Sequence, residues 1–138
     1  MKNIIFSILL FTSLCSYTQL ENLSNLTYDT RLSDIWGYED EKGNSYALVG
    51  LLDGVSIVNV TNPNLPVEVY RKKNVESIWR DLKVYKDFLY VTNESDFGIE
   101  IFDLSGLPES NIIPSLNFKG ELDKAFSSAH NLFIDEQG

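Results

Sequence analysis

Apolar and polar residues alternate along this chain in short blocks, and one block recurs. Val55-Ser56-Ile57-Val58-Asn59-Val60 is apolar at its first, third, fourth and sixth positions, and Ile99-Glu100-Ile101-Phe102-Asp103-Leu104 repeats that order with polar residues at the second and fifth. Successive side chains of an extended strand point to opposite faces, so this pattern makes both faces apolar and predicts a strand sandwiched on both sides. A turn cluster follows each block, Thr61-Asn62-Pro63 after the first and Ser105-Gly106-Leu107-Pro108 after the second. Apolar residues three apart also suit a helix, but the β-branched residues and the nearby prolines argue for strands.

The flanking residues extend each block into a four-stranded unit. In the first, a strand over residues 30–38 ends at the acidic turn 39–44, a second strand covers 46–50, Leu52-Asp53-Gly54 turns into 55–60, and an outer strand covers 67–70. Arg71-Lys72-Lys73 then reads as a charged edge that discourages aggregation. The second unit runs through 77–85, a turn at Lys86-Asp87, 88–92, 99–104 and an outer strand at 115–119. A third opens at 127–135. Asp34 aligns with Asp81 at a spacing of 47, Val49 with Val91 at 42 and Val55 with Ile99 at 44. Four strands per unit at this period predict an all-β chain, a β-propeller fragment of four-stranded antiparallel blades. Blade one is expected at about 31–73, blade two at about 77–120, and the first strand of a third blade at 127–138. Propellers close with about four to eight blades, so two and a fraction are expected to continue in a longer protein.

The first 18 residues read differently: Lys2 precedes an apolar run of eleven residues, 4–14, too short to span a membrane as a helix. This predicts a signal peptide over residues 1–18, cleaved after Thr18 to leave Gln19 first, and hence an exported protein, extracellular or on the cell surface. The competing reading, a lipid on Cys15, lacks the small residue it wants at position 14, which is Leu14. Residues 19–30 form a polar lead-in without a motif. Cys15 is the only cysteine, so the mature chain has no disulfide and relies on its apolar core. Its formal charge moves from −9 to −10 with the loss of Lys2, which argues against nucleic acid and anionic membrane surfaces as partners.

WRDLKVY (79–85), HNLFID (130–135) and the paired third strands VSIVNV and IEIFDL resemble the LVIVD-repeat proteins of the choice-of-anchor B family. The resemblance spans about 31–138 and implies an exported bacterial β-propeller, held at the surface by a C-terminal sorting segment that this sequence does not contain.

Candidate chemistry gathers at the entrance of the first strands. Ser33, Arg80 and His130 align, and Asp34, Asp81 and Asn131 follow them one position later. If first strands line a channel, these six side chains form a ligand-binding ring at its mouth, with Arg80 and His130 suited to carboxylate, phosphate or sugar hydroxyls. The alternative for the aspartates and Asn131 is turn capping, and for Arg80 a salt bridge between blades. Glu39-Asp40-Glu41 lacks calcium-loop spacing and reads as a solvated hairpin. Trp36 and Trp79 could line a carbohydrate site or wedge between blades. No catalytic set, metal site or cofactor motif is expected. The leading function is therefore a non-catalytic binding module for a protein, glycan or small anionic ligand; a propeller hydrolase or lyase completed by further blades, and a purely structural repeat, are the alternatives.

Overall fold

The computed structural model describes residues 20–121, 125–135 and 137; the expected signal peptide lies outside them. Every regular element among the described residues is a strand. β1 (Leu32–Glu39), β2 (Ser45–Leu51), β3 (Gly54–Asn59) and β4 (Val67–Lys73) form one sheet in that order, and β5 (Leu82–Tyr85), β6 (Phe88–Asn93), β7 (Gly98–Asp103) and β8 (Ser115–Phe118) form a second. All neighbouring strands are antiparallel. The two meanders thus have the expected strand order.

Glycine is required at the same point of both units. Gly54 and Gly98 each begin a third strand, and a Cβ at either would fall on the carbonyl oxygen of the outer strand, that of Lys72 or of Phe118. The neighbouring strand can approach only because no side chain stands there.

The two sheets stack with opposite faces of the repeat in contact. Val55 and Ile57, first and third positions of the block in the first sheet, lie in one fully buried cluster with Phe102 and Leu104, fourth and sixth positions of the block in the second. The remaining faces are open. Val58, at a fourth position, joins Val49 and Leu51 in a smaller cluster covered by Tyr28 of the lead-in. Ile99, at a first position, lines a hollow with Tyr85 and Tyr90 that Leu132 and Ile134 partly fill. The double-sided apolar pattern is therefore met by a sheet on one side and by an irregular segment on the other.

Three local expectations need correction. The first strand of the second unit begins at Leu82 rather than Ser77, because the residues before it bond sideways: Ser77 N donates to Leu52 O at 2.9 Å and the Arg80 side chain is turned into the first sheet. Residues 127–135 form no strand among the described residues. They lack a ladder partner and are held by single bonds, Gly98 N to Ser127 O at 2.8 Å and Ala129 N to Asn93 O at 3.0 Å. Arg71, Lys72 and Lys73 are not free edge charges. Arg71 reaches Asp29 and Asp53, Lys73 reaches Asp53, and Lys72 reaches the buried Glu100.

Candidate functional site

Asp34 lies in a bulge where Ser33 and Asp34 together oppose Gly50 between the pairs Leu32 with Leu51 and Ile35 with Val49. The extra residue re-aims the Asp34 side chain toward the second sheet, where its Oδ2 accepts the Leu82 amide at 2.9 Å. Asp81 repeats this one unit later: its Oδ2 accepts the Leu132 amide at 2.9 Å, and its Oδ1 takes Lys83 Nζ. Burial pushes the Asp81 carboxyl upward, but the Leu132 amide, the Lys83 ammonium and the neighbouring Asp34 carboxyl outweigh it, holding Asp81 below the usual carboxylate range. Each aspartate therefore fastens the next unit's inner segment, 48 and 51 residues away, in place of the adjoining turn that the capping alternative assigned to it.

Arg80 is only 3% exposed, and its Nε and Nη2 donors are already engaged. Nε donates to Leu51 O at 2.7 Å, and Nη2 meets Val75 O at 2.6 Å, Asn74 Oδ1 at 2.7 Å and Leu52 O at 3.3 Å. Burial draws its pKa down, against the attraction of Glu100 and Asp53. The expected guanidinium fork toward a ligand is thus turned between the sheets, and backbone carbonyls replace the salt bridge considered as its alternative.

Behind Arg80 lies a network that sequence reasoning missed. Glu100 is 2% exposed, takes Lys72 Nζ and Asn74 Nδ2 at 2.5 Å each, and accepts Ser115 Oγ at 3.2 Å. Asn74 therefore joins the Glu100 carboxylate to the Arg80 guanidinium. The available signal was the block itself: Glu100 is the polar second position of a strand apolar on both faces, so its charge had to be compensated inside.

The last three members of the column differ. The Ser33 Oγ is buried without a hydrogen-bond partner, beside Gly50, where a Cβ would come within 2.7 Å of it. His130 is exposed, pairs through Nδ1 with Glu94 Oε1, and meets the half-exposed Trp79 ring edge-on at 6.5 Å. Its carbonyl accepts Thr92 Oγ1 at 3.0 Å, while the same hydroxyl accepts the Asp81 amide at 2.8 Å. Asn131 is exposed beside it. Trp36, the other tryptophan, lies under Lys83, whose Nζ is 4.4 Å from the ring centroid. The structure therefore makes staples of Asp34 and Asp81, buries Arg80, and leaves His130 and Asn131 at the surface with Trp79 and Glu94.

At the opposite end of the first strands, Asp40 organises its hairpin instead of facing solvent. It is 6% exposed, accepts the Lys42 and Asn44 amides at 2.9 Å, and receives Tyr46 OH at 3.1 Å. Burial opposes its ionisation, yet the bonds from Asn44, Lys42 and Tyr46 hold its pKa low, while burial and Asp40 push the Tyr46 phenol up to about 12. A cleft of roughly 320 Å³ opens beside it, crossed by the 2.8 Å bond from Tyr38 OH to Asp87 and closed by the Lys42–Glu109 ion pair. Among the described residues no three His, Cys, Asp or Glu side chains gather as a metal ion would need, and no helix is long and apolar enough to cross a membrane.

In comparisons with known proteins, no family model, no curated protein and no solved structure matches this chain.

Proposed function

We propose that the two sheets are consecutive blades of an exported β-propeller, as the LVIVD-repeat resemblance implies, and that the protein is a non-catalytic binding module. One observation carries the architectural part. The step from the first sheet to the second, with Asp34 on the Leu82 amide, is taken again from the second sheet to residues 127–135, with Asp81 on the Leu132 amide. A step repeated in the same sense is what closes blades into a ring.

The binding surface is the part of the mouth that the stacking does not consume: His130 with Glu94, the flank of Trp79, and Asn131. With Arg80 engaged, the main reason for a small anion is gone. An aromatic face beside a carboxylate and an imidazole suits a glycan, whose CH faces stack while its hydroxyls find donors and acceptors.

The test is a panel of neutral oligosaccharides and small carboxylates titrated against the protein, read by tryptophan emission. A saccharide response lost in Trp79→Ala and in His130→Ala, with the melting temperature kept, is the expected result. Carboxylate binding that survives both changes would overturn the assignment. Export is checked separately by intact mass of secreted material, which should begin at Gln19; retained Met1 or a lipid on Cys15 would contradict it.

A further inference from the structure

We propose that the crossing from the first sheet to the second presents a docking strip, Val75, Ile78 and Trp79, for a basic segment of another protein that carries aliphatic or aromatic side chains among its lysines and arginines. The proposal rests on neither export nor glycan binding, and it shares only Trp79 with the saccharide surface.

Residues 74–81 carry the chain from β4 to β5, and the polar groups of this crossing are directed inward. Asn74 N donates to Asp53 O and Ser77 N to Leu52 O, each at 2.9 Å. The Val75 carbonyl accepts Arg80 Nη2 at 2.6 Å and Asn93 Nδ2 at 3.1 Å. The Glu76 carbonyl accepts Ser95 Oγ at 2.7 Å, and the buried Ser77 hydroxyl accepts the Glu94 amide at 3.1 Å while donating to Trp79 O at 2.7 Å. What this leaves outside is apolar: Val75, Ile78 and Trp79 are 47%, 53% and 55% exposed. Both flanks of the strip are in place. On one lies the turn 93–96, bonded to it as above, and next to that turn residues 127–130 are seated through Gly98 N on Ser127 O and Ala129 N on Asn93 O. A strip fixed before a partner arrives loses little conformational freedom on binding, and that is what lets a small contact reach useful affinity. Trp79 has the size of an anchor, with Val75 and Ile78 placed to exclude water around it.

The rim identifies the partner. Glu76, Glu94 and Asp96 stand exposed on the two segments that the Glu94–Ser77 and Ser95–Glu76 bonds hold together. Asp96 meets Lys119 and Glu94 meets His130, while Glu76 makes no ion pair among the described residues. An acidic rim around an apolar centre is complementary to apolar anchors set among positive charges. The same rim argues against the other occupants. An anionic membrane surface is repelled by these carboxylates. A second copy brings a net charge of −9, and its own basic run, Arg71-Lys72-Lys73, is already engaged by Asp29, Asp53 and Glu100. A sugar has use for the Trp79 ring, but the Val75 and Ile78 side chains offer its hydroxyls neither donor nor acceptor.

The experiment selects a displayed library of random short peptides on the whole chain, after depletion on the variant carrying both Val75→Ser and Ile78→Ser. Enriched sequences should combine lysine or arginine with aliphatic or aromatic residues. The most enriched one, synthesised with a fluorophore, is then titrated and read by anisotropy. Ile78→Ser should weaken its binding about tenfold, as loss of one buried aliphatic contact does. Glu76→Gln should weaken it about threefold and flatten its dependence on salt. The melting temperature should hold in every variant, since the replaced side chains are exposed. A selection that yields no peptide preferring wild type, or only peptides that are acidic or lack apolar residues, overturns the proposal. So does a basic peptide that binds the serine variants equally well, because that is general attraction to an acidic protein. His130→Ala separates the two surfaces: it should abolish the saccharide response and leave peptide binding intact. Peptide binding lost in that variant would put the peptide at the saccharide surface and overturn the strip.

Discussion

The Asp34 carboxylate and the Leu82 amide, 48 residues apart in sequence, meet at 2.9 Å and join the inner strands of the two sheets. The bond belongs to the edge of β5, whose amide at Leu82 has no strand partner on that side. Asp34→Ala leaves that donor unpaired, at a cost of about 1–3 kcal/mol. Asp34→Asn keeps an acceptor and should cost less. Hydrogen exchange provides the check: the Leu82 amide should exchange faster in the alanine variant, with the Leu89 and Phe102 amides little changed. Equal protection at Leu82 in both variants would mean that the bond contributes nothing.

The acid limit of stability should come from the carboxyls held low in the folded chain, Asp40, Asp53, Asp81 and Asp103. Their contribution is complete above their unfolded value of about 3.9 and is lost as pH falls through the lower folded values. The melting temperature should therefore hold from neutrality to about pH 4 and drop below it, with the drop reduced in Asp40→Asn. The alkaline limb has the opposite sign. Tyr46 is raised to about 12, so what it contributes is present below its unfolded value near 10 and lost as pH rises toward the folded one. Tyr46→Phe should flatten that limb; an unchanged profile in either variant would remove the residue from the account.

How far the sequence shows this structure depends on which force places each residue. The meanders were legible because strand period and turn chemistry are local: Leu52-Asp53 and Lys86-Asp87 turn where their composition says they should. The aspartate column was legible as a column, but its role was not, because the amides that Asp34 and Asp81 accept lie 48 and 51 residues on, beyond the adjoining turn that local capping would reach. Arg80 was not, because an arginine next to a strand looks the same whether it faces a channel or turns back under the preceding unit. What decides is the set of carbonyls at Leu51, Leu52 and Val75, which face it only after the sheets stack. Glu100 and Lys72 are partners 28 residues apart, and no local pattern pairs them.

Removing Arg80 takes a donor from Leu51 O and from Asn74 Oδ1, while Leu52 O keeps Ser77 N, Val75 O keeps Asn93 Nδ2 and Glu100 keeps Lys72. Arg80→Ala should therefore cost about 1–3 kcal/mol for each buried acceptor left without a partner. Arg80→Lys should recover only part, since an ammonium cannot reproduce the fork. Urea denaturation of both variants checks the order. A stable Arg80→Ala protein would return Arg80 to the list of side chains free to meet a ligand.

Gly98 offers the most local test of how each unit is built. Its φ is 76°, in the left-handed region, and an added Cβ would fall on the Phe118 carbonyl of the outer strand. Gly98→Ala therefore carries a backbone cost of about 1–2 kcal/mol before any clash is counted. The clash is with backbone, so no rotamer change relieves it. The cheaper response is for β8 to move away from β7, because β8 is a short edge strand whose Leu116 and Phe118 are already 58% and 44% exposed. Hydrogen exchange should then rise across residues 115–118, with little change in the β5–β6 hairpin. Gly106→Ala is the control, since its nearest neighbour to a new Cβ is the Ser110 side chain at an ordinary 3.5 Å. Similar melting temperatures for the two alanine variants would show that the glycine at the head of the third strand is not what lets the outer strand close.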